Sequence, residues 1–236
     1  MTFYTASVMI ILALAGCTVP KSNQPPVNLL SPDVVANVVA STLCSSSGGI
    51  DFEMETALNY KDRKLTPGAV IDSTFEIKKN DSAAKIRYDY QAHYQFGRDT
   101  DPYPGFNFNF QVNGSYTVSD ISCNGAQAGT YYIANADAIY CHFYGTGSSN
   151  GNYASKQYSL SLTCDIQYSV DRTVHLWNHN LGAGTINIAA NGTGPSNQPY
   201  AYTGVVTFVS GTNNCDFVFN GTHYLFDLAS GALQKQ

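Results

Sequence analysis

The sequence predicts a mainly β chain: an antiparallel β-sandwich or barrel of about a dozen strands with one short N-terminal helix. Three observations carry that expectation. Apolar and polar residues alternate with period two over much of the chain, two Asn-Gly dipeptides separate such stretches, and Gly, Asn and Ser cluster at the spacing of turns.

Ser31-Pro32-Asp33 opens the helix, with a hydroxyl placed to cap, a proline where the missing N–H costs nothing, and an acid near the positive end of the dipole. Val34, Val35, Val38, Val39 and Leu43 then recur at helical spacing, which predicts a helix over about 32–43. From Ile50 the period reads as two. Ile50, Phe52, Met54, Thr56, Leu58 and Tyr60 alternate with Asp51, Glu53, Glu55 and Asn59, the pattern of a strand with one wet face. The clearest strand runs from Ile86 to Phe96, where Tyr88, Tyr90, Ala92 and Tyr94 alternate with charged and amide side chains. Phe106, Phe108, Phe110 and Val112 lead into Asn113-Gly114, and Cys215–Phe219 leads into Asn220-Gly221; both dipeptides predict type I′ hairpins. Further strands are expected at 70–78, 116–122, 130–134, 138–144, 157–168, 172–177, 185–190 and 200–209. Varied strand lengths and mid-strand aromatics argue against a transmembrane barrel, whose aromatics form girdles at the strand ends.

The N-terminus carries an address. Val8 to Gly16 is an apolar run too short to span a bilayer as a helix, and it ends in Leu14-Ala15-Gly16-Cys17. These four residues resemble the lipobox of bacterial lipoproteins. The resemblance implies a signal peptide over 1–16 and a diacylated Cys17, carrying palmitate, as the mature N-terminus. It also implies partnership with a lipid bilayer at the cell envelope, and Thr18 in place of Asp favours the outer membrane where the organism has one. Pro20, Pro25 and Pro26 among Ser, Asn and Gln make 17–30 a semi-extended tether, followed by one β-rich domain over 31–236.

Composition narrows the partners. The net charge of −5 argues against nucleic acid, which needs a basic face. Residues 102–236 hold only 3 basic and 6 acidic side chains and take their polarity from Asn, Ser, Thr, Gly and Tyr, which offer adaptable polar contact. After Cys17 come Cys44, Cys123, Cys141, Cys164 and Cys215, with no Cys-x-x-Cys spacing to suggest zinc. An oxidising compartment leads one to expect bridges. If 138–144 and 157–168 form a hairpin over a Gly/Ser/Asn-rich loop, an index sum of 305 pairs Ile139 with Ile166, Cys141 with Cys164 and Phe143 with Leu162. Every pair is then apolar, and a Cys141–Cys164 disulfide is predicted.

Other strings look like chemistry and lack its context. Gly147-Ser148-Ser149-Asn150-Gly151 has the letters of a nucleophile elbow but is followed by a strand, and Ser82-Ala83-Ala84-Lys85 reads as a hairpin turn. Asp99-Thr100-Asp101 lacks the glycine and glutamate of an EF-hand, so no metal or other cofactor is expected. His175, Trp177 and His179 form a candidate ligand-binding group. As a strand they share a face, but the histidines then stand about 13 Å apart, too far to hold one ion. The expectation is therefore a non-catalytic binding or structural β domain that meets an envelope protein or glycan. An exported glycan-active enzyme or other hydrolase and a carrier of acyl chains remain as alternatives.

Overall fold

Ser31 caps the first helix as expected: its hydroxyl accepts from the Asp33 N–H at 3.3 Å, and α1 runs Pro32–Leu43. This computed structural model describes residues 30–61, 65–100, 105–134, 140–175, 180–210 and 212–236. Cys17 and the tether as far as Leu29 lie outside the described residues. The valines do not form a stripe with a wet back. Val34, Val35, Ala36, Val38, Val39, Ala40, Ser41, Thr42 and Leu43 are all buried, so α1 is enclosed on every side. It stops at Cys44, and a tight turn over Ser45–Ser47 leads to Gly48, whose φ of +73° is the left-handed conformation that favours glycine.

A second helix follows where a strand was expected. Residues 50–61 form α2 (Ile50–Lys61), which corrects the reading of a single helix. The apolar residues of this stretch satisfy both periods. Ile50, Met54, Ala57 and Leu58 lie at i, i+4, i+7 and i+8, and these are the ones buried, whereas Glu55 and Asn59 are exposed. Glu53, expected on a wet face, is buried instead.

Eleven strands complete the described fold: β1 (Val70–Asp81), β2 (Ile86–Arg98), β3 (Phe106–Val118), β4 (Ile121–Ala134), β5 (Tyr140–Ser155), β6 (Leu160–His175), β7 (Asn180–Thr193), β8 (Pro199–Phe208), β9 (Asn214–Phe219), β10 (Thr222–Asp227) and β11 (Leu233–Lys235). They form one antiparallel sheet in sequence order, each strand paired with its neighbours in the chain. The mainly β, antiparallel expectation holds at that level.

Of the two Asn-Gly dipeptides, only Asn220-Gly221 makes a turn, with φ +47° and +78° as a type I′ hairpin requires. At Asn113-Gly114 the strand continues, because Tyr116 and Val118 keep the alternation and go on being buried; the chain reverses later, at Ser119-Asp120. Ser82–Lys85 is a turn, as read.

The sheet has one buried face, and tyrosine bridges it to the N-terminal segment. The Tyr116 hydroxyl lies 2.9 Å from the Thr42 hydroxyl and 3.2 Å from that of Ser41, and Thr42 also donates to Tyr153 at 3.3 Å. Tyr202 donates to the Leu30 carbonyl, Tyr224 to the Asp33 carboxylate and Tyr90 to the Ser47 carbonyl. These residues come from β2, β3, β5, β8 and β10, so distant parts of the meander are tied to α1 and the residues on either side of it. A ring long enough to cross the core delivers a hydroxyl that must find a partner at its far end. The tyrosines expected to offer contact to ligands are thus mostly structural.

The predicted disulfide is absent. All five cysteines among the described residues are buried, and none of them is in a disulfide. The β5–β6 register has an index sum of 315: Cys141 stands opposite Val174 and Cys164 opposite Gly151. Along β5 those two positions differ by ten residues, roughly 33 Å. The segment expected to be a loop, Gly145 to Ser155, is strand, and the reversal falls at Lys156–Ser159. Burial pushes the thiols of Cys44 and Cys123 up to about 11 and that of Cys164 up to about 12, which makes them poor nucleophiles. A thiol reagent is expected to leave these five cysteines unlabelled in the folded protein and to label all five after unfolding without reductant. Protection of any pair in the unfolded chain would show a bridge.

Candidate functional site: an uncharged groove on the outer sheet face

The side chains that alternate with the core line the outer face, and antiparallel register sets them in rows. One row crosses six strands as Gln95, Asn109, Thr130, Thr146, Ser169 and Asn187, each opposite the next. A second row, two residues along, includes His93, Gln111, Ser148 and Gln167. Together they line an open groove of about 990 Å3 across β2–β7. Short side chains on β4 and β5 make its middle, with the longer amides of Gln95 and Gln111 on one side and of Gln167 and Asn187 on the other.

The backbone at the base of the groove is held by glycine. Gly129 and Gly147 occupy inward-facing positions, and core rings fill the space a side chain would take. A Cβ at Gly129 would lie 2.5 Å from the Phe110 ring, and one at Gly147 would lie 2.4 Å from the Tyr168 hydroxyl. That explains why glycines sit in strands here, against their usual strand propensity.

No Asp, Glu, Lys or Arg lines the groove. Its one ionisable member, His93, is engaged by Asp72 at 2.7 Å. Gln95 and Asn109 are joined at 3.3 Å, whereas the side chains of Gln111, Thr130, Thr146, Gln167, Ser169 and Asn187 have no protein hydrogen-bond partner among the described residues. Next to the first row, on the same face, Tyr132 pairs with Tyr144, ring centroids 5.4 Å apart. Tyr132 donates to Asp99 at 2.7 Å. Tyr144 is exposed and lies 5.2 Å from the ring of His142, which is bound to Asp171.

The residues singled out from sequence lie elsewhere. Trp177, His179 and the side chain of His175 lie outside the described residues. Ser149 is buried in mid-strand β5, 3.2 Å from the Tyr153 hydroxyl, with no strand-to-helix turn to present it. Glu53 accepts from Tyr94 at 3.2 Å, its other oxygen has no partner, and burial pushes its carboxyl up to about 8. Among the described residues no group of three or more His, Cys, Asp or Glu is placed to hold a metal. No helix among them is long and apolar enough to cross a membrane. The groove was missed because 145–155 reads as a loop. The signal present was the run of polar residues at every second position, Thr146, Ser148, Asn150 and Asn152.

Compared with models of protein families, with curated proteins and with solved structures, the chain matches none.

Proposed function

We propose that the chain is a membrane-anchored lipoprotein of the cell envelope whose β domain is a non-catalytic binding module, with the outer-face groove as its ligand surface. The observation that carries this reading is a set of uncharged polar side chains on β3–β7 that line one groove and have no protein hydrogen-bond partner among the described residues. A sheet fixes the backbone that carries these groups, so only their side chains need ordering on meeting a ligand. The address rests on the likeness of Leu14-Ala15-Gly16-Cys17 to a lipobox, with the outer membrane as destination in a diderm organism.

The sheet curls around α1 as an open barrel in this reading, supported by the tyrosine hydroxyls that reach the N-terminal segment from β2 through β10. A glycan-cleaving hydrolase would need converging carboxylates, and among the described residues Glu53 stands in the core without a second one beside it. An acyl carrier would need space within the apolar face, which here is filled by α1 and stacked rings.

Labelled palmitate is expected to be incorporated into the wild-type chain in cells and lost with Cys17→Ser, which releases the protein to the soluble fraction. No incorporation into the wild type removes the address. A photo-cross-linking side chain at position 167 should capture an envelope component that the same group at position 214, on β9, does not. Equal or no capture at the two positions removes the groove as ligand surface.

A further inference from the structure

Three features of the groove bear on what it holds. First, it has no charge to match a phosphate, a carboxylate or an ammonium, and burying an ionic ligand without a counter-charge is costly. Second, its free groups are amides and hydroxyls, each able to donate and accept, which suits a ligand carrying many hydroxyls in many orientations. Third, the groove is long: five interstrand spacings at about 4.8 Å make roughly 24 Å, the reach of a chain rather than of a single small molecule. At its edge Tyr144 offers an exposed ring steadied by Tyr132 and His142.

We propose that the groove binds an uncharged oligosaccharide chain laid across β2–β7, its hydroxyls met by the amides and one of its inner rings stacked on Tyr144 at the groove's flank. This rests on the outer face being the ligand surface and names the ligand class. A pyranose has the two properties the surface asks for: hydroxyls around its rim for Gln111, Gln167 and Asn187, and an apolar C–H face for an aromatic ring. The central positions, Thr130, Thr146 and Ser169, carry short side chains, so the chain can lie against the sheet while the longer amides close on it from both sides. A peptide would expose its own backbone along a sheet face that offers no free strand edge to pair with. The sugar needs no such edge.

The test uses the full-length protein in a zwitterionic detergent, because glucoside and maltoside headgroups are sugars and would compete. It is titrated by calorimetry with glucan, mannan and chitin fragments of several rings, and with oligogalacturonate of matched length. At least one neutral series is expected to bind, more tightly as the chain lengthens, while oligogalacturonate is rejected. Tyr144→Ala should weaken binding roughly three- to tenfold, and Gln167→Ala and Asn187→Ala roughly fivefold each. Thr146→Arg, which sets a charged side chain in mid-groove at an exposed position, should abolish binding with the circular dichroism unchanged. Failure of every neutral chain, equal binding of oligogalacturonate, or unaltered binding by Thr146→Arg overturns the proposal. If no sugar binds but the group at position 167 captures a protein in cells, the glycan assignment falls and the ligand surface stands; if neither occurs, both fall.

Discussion

Val39→Asp is expected to leave the chain unfolded under native conditions, while Val39→Ala is tolerated and Val205→Asp is nearly silent. Val39 is fully buried on a helix that has no solvent face to rotate toward. The substitution forfeits the burial of a valine, roughly 1.5–3 kcal/mol, and places a carboxylate where no cation waits. The effective penalty for an unpaired buried charge is several kcal/mol more, and the two together approach the roughly 5–15 kcal/mol typical of a whole domain. Val39→Ala removes two methyl groups and should cost on the order of 2 kcal/mol. Val205, 37% exposed on the outer face, should accept a carboxylate for less than about 1 kcal/mol. Far-ultraviolet circular dichroism and limited proteolysis distinguish the three. A folded Val39→Asp protein would mean that α1 is peripheral and that the sheet stands without it, and the open barrel around α1 would have to be abandoned.

The enclosure of α1 was only half legible in the sequence. Its valines announced a helix, and Ser31-Pro32-Asp33 announced where it starts. Nothing local announced that Ser41 and Thr42 would be buried as well, because their hydroxyls are satisfied by Tyr116 and Tyr153 from strands more than 70 residues away. The β5–β6 register shows another limit. Burial of one face forbids a slip of one residue, but the expected sum of 305 and the observed 315 differ by an even number. Every side chain therefore keeps its face in both, Cys141 and Cys164 included, and only the position of the turn chooses between them. That turn was misplaced because Gly, Ser and Asn between 145 and 155 read as loop chemistry. Gly145 and Gly147 instead meet Tyr131 and Tyr168, rings that take up the volume a strand normally fills with its own side chains. The groove shares this cause. Its small and uncharged residues are what allow the outer face to be concave there, and the same residues erase the strand signal that would have revealed it.

Replacing Glu53 should change how stability depends on pH more than any other single substitution in the core. Glu53 is fully buried on α2, its Oε2 has no partner, and its Oε1 accepts only from Tyr94. The other groups near enough to feel its charge, Tyr90, Tyr131 and Tyr168, are neutral phenols whose own ionisation burial has pushed upward. Desolvation raises the Glu53 carboxyl from 4.5 to about 8, with the Tyr94 hydrogen bond opposing. Between those two values the native protein keeps a proton that the unfolded chain releases, so stability falls as pH rises. The contribution is fully present below 4.5, declines up to about 8 and is constant above. At about 1.4 kcal/mol per tenfold change in proton affinity, the decline is on the order of 5 kcal/mol. Asp33 acts in the opposite sense and at lower pH. Its carboxyl is held below 3.8 by Tyr224 and then by Lys235, so its contribution is present above that value and lost as pH drops through its lowered folded value. Glu53→Gln keeps the shape and the acceptor for Tyr94 but cannot ionise. Denaturant titrations at about pH 5 and about pH 8.5 should show parent and variant nearly equal at the lower pH and the variant more stable by a few kcal/mol at the higher, on the order set by the same linkage. A uniform loss of stability at both pH values would mean instead that Glu53 is an ionised, partnered carboxylate and that the packing of α2 against Tyr94 has been misread.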